Sequence, residues 1–386
     1  MNAARAAYVH VPFCRHRCGY CNFTLVEGRA DLVGDYLRAV ELELNSPALQ
    51  ERGALGEAGS RRDEVETLYF GGGTPTHLSA DALCRLTSAV VARHPLAQGY
   101  EFTVEANPAD VDAAMIRALR SLGVTRVSLG GQSFREDKLR LLERDHVAAD
   151  IGRVVLAIRE AGMHVALDLI FAAPGEKIDD WRADLEAAIA LEPDHVSTYG
   201  LTFEEGTSFW TRRLRGDLAE VDEELQREMY ALAIDRLAAA GYEQYEVSNF
   251  ARLGRRSRHN QVYWSGDGYF AYGPGAARYI NGVRETNHRS VTTYLRRMLA
   301  GKSPVAESEC LSREERAREL FVFSLRRIEG VSRRSYRMRS GFDCDQLFVG
   351  PLSKFIGLGL LEDDGDRIRM TREGLFVSDA MWPEML

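Results

Sequence analysis

The chain has 386 residues, 45% of them hydrophobic and 27% charged, with a formal net charge of -8. That length suits one large domain and a smaller one, and the acidic balance argues against a general nucleic-acid binder. No run of about 18 apolar residues offers a transmembrane helix, and the opening MNAARAAYVH lacks the apolar stretch of a signal peptide.

Residues 6–11 (Ala-Ala-Tyr-Val-His-Val) read as a short strand. Directly after it, Cys14, Cys18 and Cys21 form a C-x3-C-x2-C loop with no fourth cysteine close behind. A cubane iron–sulfur cluster normally takes four thiolates. Three in one loop leave one iron open to a non-protein ligand, and an open position is what catalytic metal centres keep. Zinc is the alternative, with His10 and His16 nearby in sequence. A helical pattern follows over 31–49. Strand-like runs near 66–70, 101–105, 126–129, 164–171, 195–199 and 242–247 then alternate with helix-like runs. These helices fall near 79–93, 111–122, 150–161, 178–191 and 220–240, with Ser79 and Asp110 as N-caps. Such alternation implies βαβ units and a parallel sheet. Six units are too few for a closed eight-stranded barrel. They fit an α/β fold, an open (β/α)6 partial TIM-type barrel, whose sites gather at the C-terminal strand ends.

Residues 251–283 break the rhythm. Arg252, Arg255, Arg256 and Arg258 cluster there, ahead of a Gly- and Tyr-rich stretch over 266–275. This reads as an ordered irregular segment leaving the barrel. From about 305 the pattern is helical again, and Asp364-Gly365 between apolar residues signals a hairpin. Helices followed by a hairpin predict a small C-terminal winged-helix-like α+β domain. The division read from the sequence is 1–250 for the barrel, 251–300 for a linking segment and 301–386 for the last domain. The candidate groove helix of that domain, 345–360, holds only Lys354 as a basic residue, too few for DNA reading. Cys84, Cys310 and Cys344 are scattered and read as buried thiols. So few cysteines in a long chain make no disulfide framework, so a reducing cytoplasm is expected.

Several polar residues sit where strands should end. Gly71-Gly72-Gly73-Thr74-Pro75 follows the 66–70 strand, and glycine lets a ligand approach the backbone. Glu105 closes one apolar strand and Asp168 interrupts another, which is costly unless each carboxyl finds a partner. Gln132 ends a third. Arg144, twelve residues on, offers a fork suited to a carboxylate, although alone it reads as a solvated helix residue. Tyr8 and Tyr20 flank the cysteine loop and are equally readable as core packing.

With Tyr20 just before the last cysteine, the loop resembles that of the radical S-adenosylmethionine (SAM) superfamily. The resemblance implies the barrel architecture and a [4Fe-4S] cluster on Cys14, Cys18 and Cys21. It implies SAM chelating the fourth iron through its methionyl amine and carboxylate, with one-electron cleavage of a carbon–sulfur bond. It further implies SAM contacts from Gly72, Gly73, Thr74, Glu105, Gln132, Arg144 and Asp168, with Tyr8 and Tyr20 walling the adenine.

Residues 8–23, 71–76, 126–134, 195–207 and 241–264 narrow the resemblance to the oxygen-independent coproporphyrinogen III oxidase-like family, and within it to the HemW-type haem chaperones. Phe23, after Asn22, stands where the oxidases carry an extra cysteine, and the loop begins at residue 14 without their long leading extension. Gly131 and Asn22 replace the usual valine and aspartate of the HemW type, and neither is an expected ligand. His259-Asn260-Gln261-Val262-Tyr263-Trp264 matches the H-N-x-x-Y-W motif associated with haem in that group. His259 would offer an imidazole to haem iron, the aromatic rings apolar faces, and the nearby arginines partners for propionates. A structural reading stands beside it, in which the hexapeptide locks a loop onto the barrel. The resemblance thus implies a cytoplasmic chaperone that binds a cluster, SAM and haem. It would hand haem to haem-requiring proteins such as respiratory enzymes, with a homodimer as the candidate assembly and without nucleic acid. The second reading is a radical SAM enzyme acting on a tetrapyrrole, by propionate decarboxylation or methyl transfer. A structural zinc protein ranks third.

Overall fold

Two side-chain faces alternate along each strand of the main sheet, and that alternation builds the molecule. The computed structural model describes residues 4–46 and 64–386. It contains six neighbouring parallel strands: β1 (Ala6–Val11), β2 (Val65–Gly72), β3 (Leu96–Ala106), β4 (Arg126–Gln132), β5 (His164–Phe171) and β6 (His195–Gly200). One face carries Val9, Leu68, Phe70, Phe102, Val104, Val127, Leu129, Val165, Leu167 and Val196, all buried. These side chains share one core with helices α1 (Val33–Leu44), α2 (Ala80–Arg93), α3 (Ala113–Ser121), α4 (Ala148–Glu160), α5 (Ile178–Ala190) and α6 (Glu223–Ala239). Full burial of each Val, Leu or Phe stabilises by about 1.5–3 kcal/mol. The opposite face is polar and aromatic. Tyr8 pairs in register with Tyr69, Glu105 with Ser128, and Asp168 with Ser197. The expected α/β partial barrel is therefore present, with its helices on the apolar face.

Its edges differ from expectation. The 242–247 run is not a sixth parallel strand. It forms β7 (Glu243–Glu246), antiparallel to β8 (Asn249–Ala251), which is itself antiparallel to β6. The sixth parallel strand is instead β1, recruited from the chain start. Nor is 251–283 irregular. It holds helix α7 (Arg258–Trp264) and β9 (Phe270–Tyr272), which adds parallel to the free edge of β1. A three-residue strand is too short to show a period-2 pattern, so the Gly- and Tyr-rich composition masked it. Ser79 caps α2 as expected, accepting from the Ala82 amide at 3.2 Å. Asp110 does not cap α3. It ends a 3-10 turn, Pro108–Asp110, so the helix starts later and Asp112 caps it, accepting from Met115 at 2.7 Å. The expected helix over 31–49 is Val33–Leu44, and positions 47–49 lie outside the described residues.

Beyond β9, three antiparallel strands (Ala277–Ile280, Val283–Asn287, Val305–Cys310) precede the C-terminal domain. They are tied to α1 by Glu43, a fully buried acid on that helix. Glu43 accepts from the Gly273 amide (2.9 Å), Asn287 Nδ2 (2.7 Å), the Tyr294 hydroxyl (2.7 Å) and Arg278 (3.3 Å). The last domain has its own core of Phe321, Tyr336, Phe348, Leu361 and Ile368. Helices Arg313–Leu325, Arg333–Ser340 and Val349–Gly357 pack on a three-stranded sheet whose hairpin joins Leu361–Asp363 to Arg367–Met370. This is the winged-helix-like arrangement, although the 345–360 helix is interrupted at Phe348, whose ring fills the core. Cys344 is buried as read, whereas Cys84 and Cys310 are exposed. Among the described residues, no helix is long and apolar enough to cross a membrane.

Candidate metal and cofactor site

The cysteine loop leaves the C-terminal end of β1 and is held on the barrel rim by backbone. The Gly73 amide donates to Val11 O (2.8 Å), Thr74 N to Phe13 O (2.7 Å) and Val26 N to Pro12 O (2.7 Å). A Cβ on Gly73 would stand 2.8 Å from Phe13 O and 2.9 Å from Val11 O, so only glycine lets the two segments meet. Gly72 has φ +110°, and a Cβ there would strike the His10 ring at 2.4 Å. His10 spends both ring nitrogens on the fold, contacting the Tyr8 hydroxyl (3.0 Å) and Thr24 O (2.6 Å), and burial pushes it down to about 4. It is therefore committed to holding the loop and is no metal ligand here. His16 faces Glu27 at 3.3 Å.

The three thiols share that loop, and Cys14 Sγ lies 3.4 Å from Thr74 Oγ1. Burial raises the Cys21 thiol and pushes Cys14 up to about 12, so a metal must displace these protons. The all-sulfur donor set, with His10 committed to the fold and His16 facing Glu27, fits an iron–sulfur cluster better than a zinc site that needs a fourth ligand.

Facing the loop is a cavity of about 560 Å³, lined by Cys14, Cys18, Cys21, Tyr20, Gly72, Gly73, Thr74, Glu105, Gln132, Arg144 and Asp168. Residues spread over 155 positions of sequence thus converge because each ends or follows a parallel strand. Glu105 accepts from the Tyr69 hydroxyl (2.8 Å) and the Gly72 amide (2.9 Å), yet burial pushes its carboxyl up to about 7. Burial likewise pushes Asp168 up to about 6, against hydrogen bonds from Ser197 and Ser128. Neither has a cationic side chain in a salt bridge among the described residues, so each would gain from a ligand's ammonium or hydroxyl groups. Arg144 donates to Gly130 O (2.9 Å) and Cys18 Sγ (3.3 Å), and its buried Nε has no partner. The orphaned donor, the two uncompensated carboxyls and the glycine cradle fit a zwitterionic, amino-acid-like ligand beside the thiols.

Two expected site residues are elsewhere. Tyr8 does not line the cavity; its ring stacks on Tyr69 with centroids 6.0 Å apart, inside the barrel. His259 is buried deeper still. Its Nδ1 meets Thr67 Oγ1 (2.9 Å), near the start of β2, and its Nε2 meets the Tyr263 hydroxyl (2.8 Å). It stacks on Tyr69 at 5.0 Å, and burial pushes it down to about 3. Both nitrogens are spent, so this imidazole plugs the barrel interior and is not presented to a ligand; the structural reading of the hexapeptide holds for His259 but not for Trp264, which is half-buried with an unpartnered Nε1. The arginines expected to meet propionates are also engaged: Arg255 with Asp194, Arg256 with Glu243 and Glu329, and Arg258 with Glu66.

Sequence reasoning missed Ser128, Ser197, Tyr199 and Arg289. Ser128 and Ser197 are the register partners of Glu105 and Asp168 on neighbouring strands, and Tyr199 follows Ser197 on the same face, so strand pairing was needed to find them. Arg289 comes from beyond the barrel and has no signal in the sequence. Also missed was a buried network behind the site. Asp184 on α5 accepts from Ser133 Oγ (2.7 Å), Phe134 N (2.7 Å) and Lys138 (3.0 Å), and Lys138 also pairs with Glu176. The network locks the turn where Gln132 takes φ +65°, a left-handed conformation uncommon outside glycine. An acid within the Trp181–Leu185–Ala188 apolar stripe was its signal.

The chain is similar to known proteins. Residues 8–188 match the model of the radical SAM superfamily, and residues 311–377 match the HemN C-terminal domain. "Heme chaperone HemW" of Bacillus subtilis (strain 168) is 32% identical over 384 residues, 99% of each chain. That of Mycobacterium tuberculosis (strain ATCC 25618 / H37Rv) is 35% identical, covering 97% of this chain and 93% of the relative. The solved coproporphyrinogen III oxidase (HemN) from Escherichia coli superposes with a TM-score of 0.85. It covers 100% of this chain and 91% of its own at 21% identity, a likeness of fold.

Proposed function

Because the chain belongs to the radical SAM superfamily, in the family of HemW proteins, we propose that it is a haem chaperone carrying a [4Fe-4S] cluster and SAM. The superfamily implies the cluster and SAM, and relatives at 32–35% identity over nearly the whole chain are named heme chaperones. In this reading Cys14, Cys18 and Cys21 hold the cluster. Glu105 and Asp168 receive the ammonium and hydroxyl groups of SAM, and Arg144 its carboxylate. Gln132, Gly72, Gly73 and Thr74 supply close backbone and polar contact, and Tyr20 a wall. Together the bound groups supply one-electron reductive cleavage of a carbon–sulfur bond. The protein's own part is to hold SAM beside the thiols and to keep Glu105 and Asp168 poised between protonation states. Haem is the cargo, passed to haem-requiring proteins.

The observation that carries the reading is the convergence of three thiols and the strand-end groups on one cavity. It is tested by reconstituting the cluster anaerobically, adding haem, SAM and a reductant, and assaying haem retention and 5′-deoxyadenosine. A chaperone retains haem and converts no coproporphyrinogen III. Conversion of coproporphyrinogen III to protoporphyrinogen would replace this reading with the oxidase.

A further inference from the structure

With His259 closed off, the haem-chaperone reading needs another place for its cargo. We propose that the mouth of the cluster cavity is that place: a subsite for a flat, apolar macrocycle bearing carboxylates. The inference rests on the haem reading above and goes beyond it by naming the seat.

Two aromatic rings at the mouth are left in water. Phe23 is 63% exposed and Tyr199 is 44% exposed, and both line the cavity together with apolar Ile170 and Leu201. Exposed rings flanking an apolar recess are the surface a planar ligand covers. Two guanidiniums act on the segment that carries Phe23, and one of them, Arg289, also lines the cavity. Arg17 donates to the carbonyls of Phe23 (3.4 Å) and Leu25 (3.5 Å). Arg289 donates to Asn22 O (2.6 Å), Asn22 Oδ1 (3.3 Å) and Thr24 Oγ1 (3.4 Å). Most of the described arginines meet an Asp or Glu. Among the described residues, Arg17 and Arg289 have no carboxylate within 4.0 Å. Each therefore keeps N–H donors for an incoming carboxylate, although the charge of Arg17 is shared with the Cys21 sulfur it faces. Both act on the loop segment that carries Phe23, so charge and ring are placed together. A ligand bound here would lie against the cluster loop, where a change at the cluster or SAM would reach it directly.

The test uses the reconstituted full-length protein, titrated with hemin and with hemin dimethyl ester, whose carboxylates are blocked. Wild type is expected to prefer the diacid at least tenfold. The Arg17→Gln/Arg289→Gln double variant should bind hemin at least tenfold more weakly and lose the preference for acid over ester, which a merely structural role would not remove. Phe23→Ala should weaken both ligands alike, and it decides the matter if the double variant fails to hold its cluster. If wild type binds hemin but the double variant and Phe23→Ala keep full affinity and preference, the inference is wrong while the chaperone reading stands. If Trp264→Ala then abolishes binding, the cargo sits in the cavity of about 230 Å³ that Tyr263 and Trp264 line. If wild type binds no hemin, the haem reading falls and this subsite with it.

Discussion

Glu105→Gln isolates the cost of keeping a carboxyl dry in the cofactor-free barrel. Burial raises Glu105 from the ordinary 4.5 to about 7 in the folded protein. Between those values the native state keeps a proton that the unfolded chain has released. The unfolded state then binds fewer protons, so stability falls as pH rises. Moving from 4.5 to about 7 at ~1.36 kcal/mol per pH unit corresponds to about 3 kcal/mol. That stability is fully present below pH 4.5 and lost by the time pH passes 7. Glutamine keeps the shape and an acceptor for the Gly72 amide but cannot ionise. Urea unfolding of the cluster-free protein from pH 5 to pH 8 should therefore show wild type losing about 2–3 kcal/mol relative to Glu105→Gln. Taking the difference cancels the titrating groups that do not interact with Glu105; Asp168 does, and its share stays in the difference. A difference that stays flat across that range would refute the reasoning and mean that Glu105 is ionised throughout, with a partner the buried geometry does not supply. SAM, once bound, should flatten the wild-type profile by supplying that partner.

Replacing Cys14, Cys18 and Cys21 together by Ala should abolish the brown chromophore, while Cys84→Ala and Cys310→Ala keep it; iron and labile sulfide analysis decides. Asp168→Ala should weaken SAM binding about 10- to 150-fold with iron content intact, because one charge-assisted contact contributes about 1.5–3 kcal/mol; equilibrium dialysis with labelled SAM reads it. His259→Ala strands the Thr67 and Tyr263 hydroxyls and opens a void. It should cost about 2–4 kcal/mol in urea unfolding and leave the haem spectrum unaltered. Glu43→Ala removes the acceptor shared by Gly273, Asn287, Tyr294 and Arg278. Arg278 keeps its pair with Glu285 at 2.8 Å, but the Gly273 amide, Asn287 and Tyr294 lose their buried acceptor, which should cost about 2–4 kcal/mol, seen as a lowered unfolding midpoint.

The sequence by itself determined what local pattern can carry. Strand–helix alternation specified a parallel α/β barrel, because each βαβ unit announces itself within a few dozen residues. The C-x3-C-x2-C spacing marked the metal loop. Acids such as Glu105 and Asp168 in apolar strands marked the cavity, because a carboxyl in that setting needs a reason. Tertiary structure alone decided what depends on long-range closure. β1 and the three-residue β9 complete the sheet edge from positions about 260 residues apart, and nothing in so short a strand foretells its partner. His259 is the clearest case. In sequence it is a histidine among aromatics and arginines, the composition of a ligand site. In the fold its two nitrogens meet Thr67 and Tyr263 inside the barrel, while the arginines find carboxylates far away in the chain. Which polar groups are satisfied, and which are left for a ligand as Arg144 Nε is, is a property of packing in three dimensions. Composition and spacing list the groups, but only the closed fold pairs them.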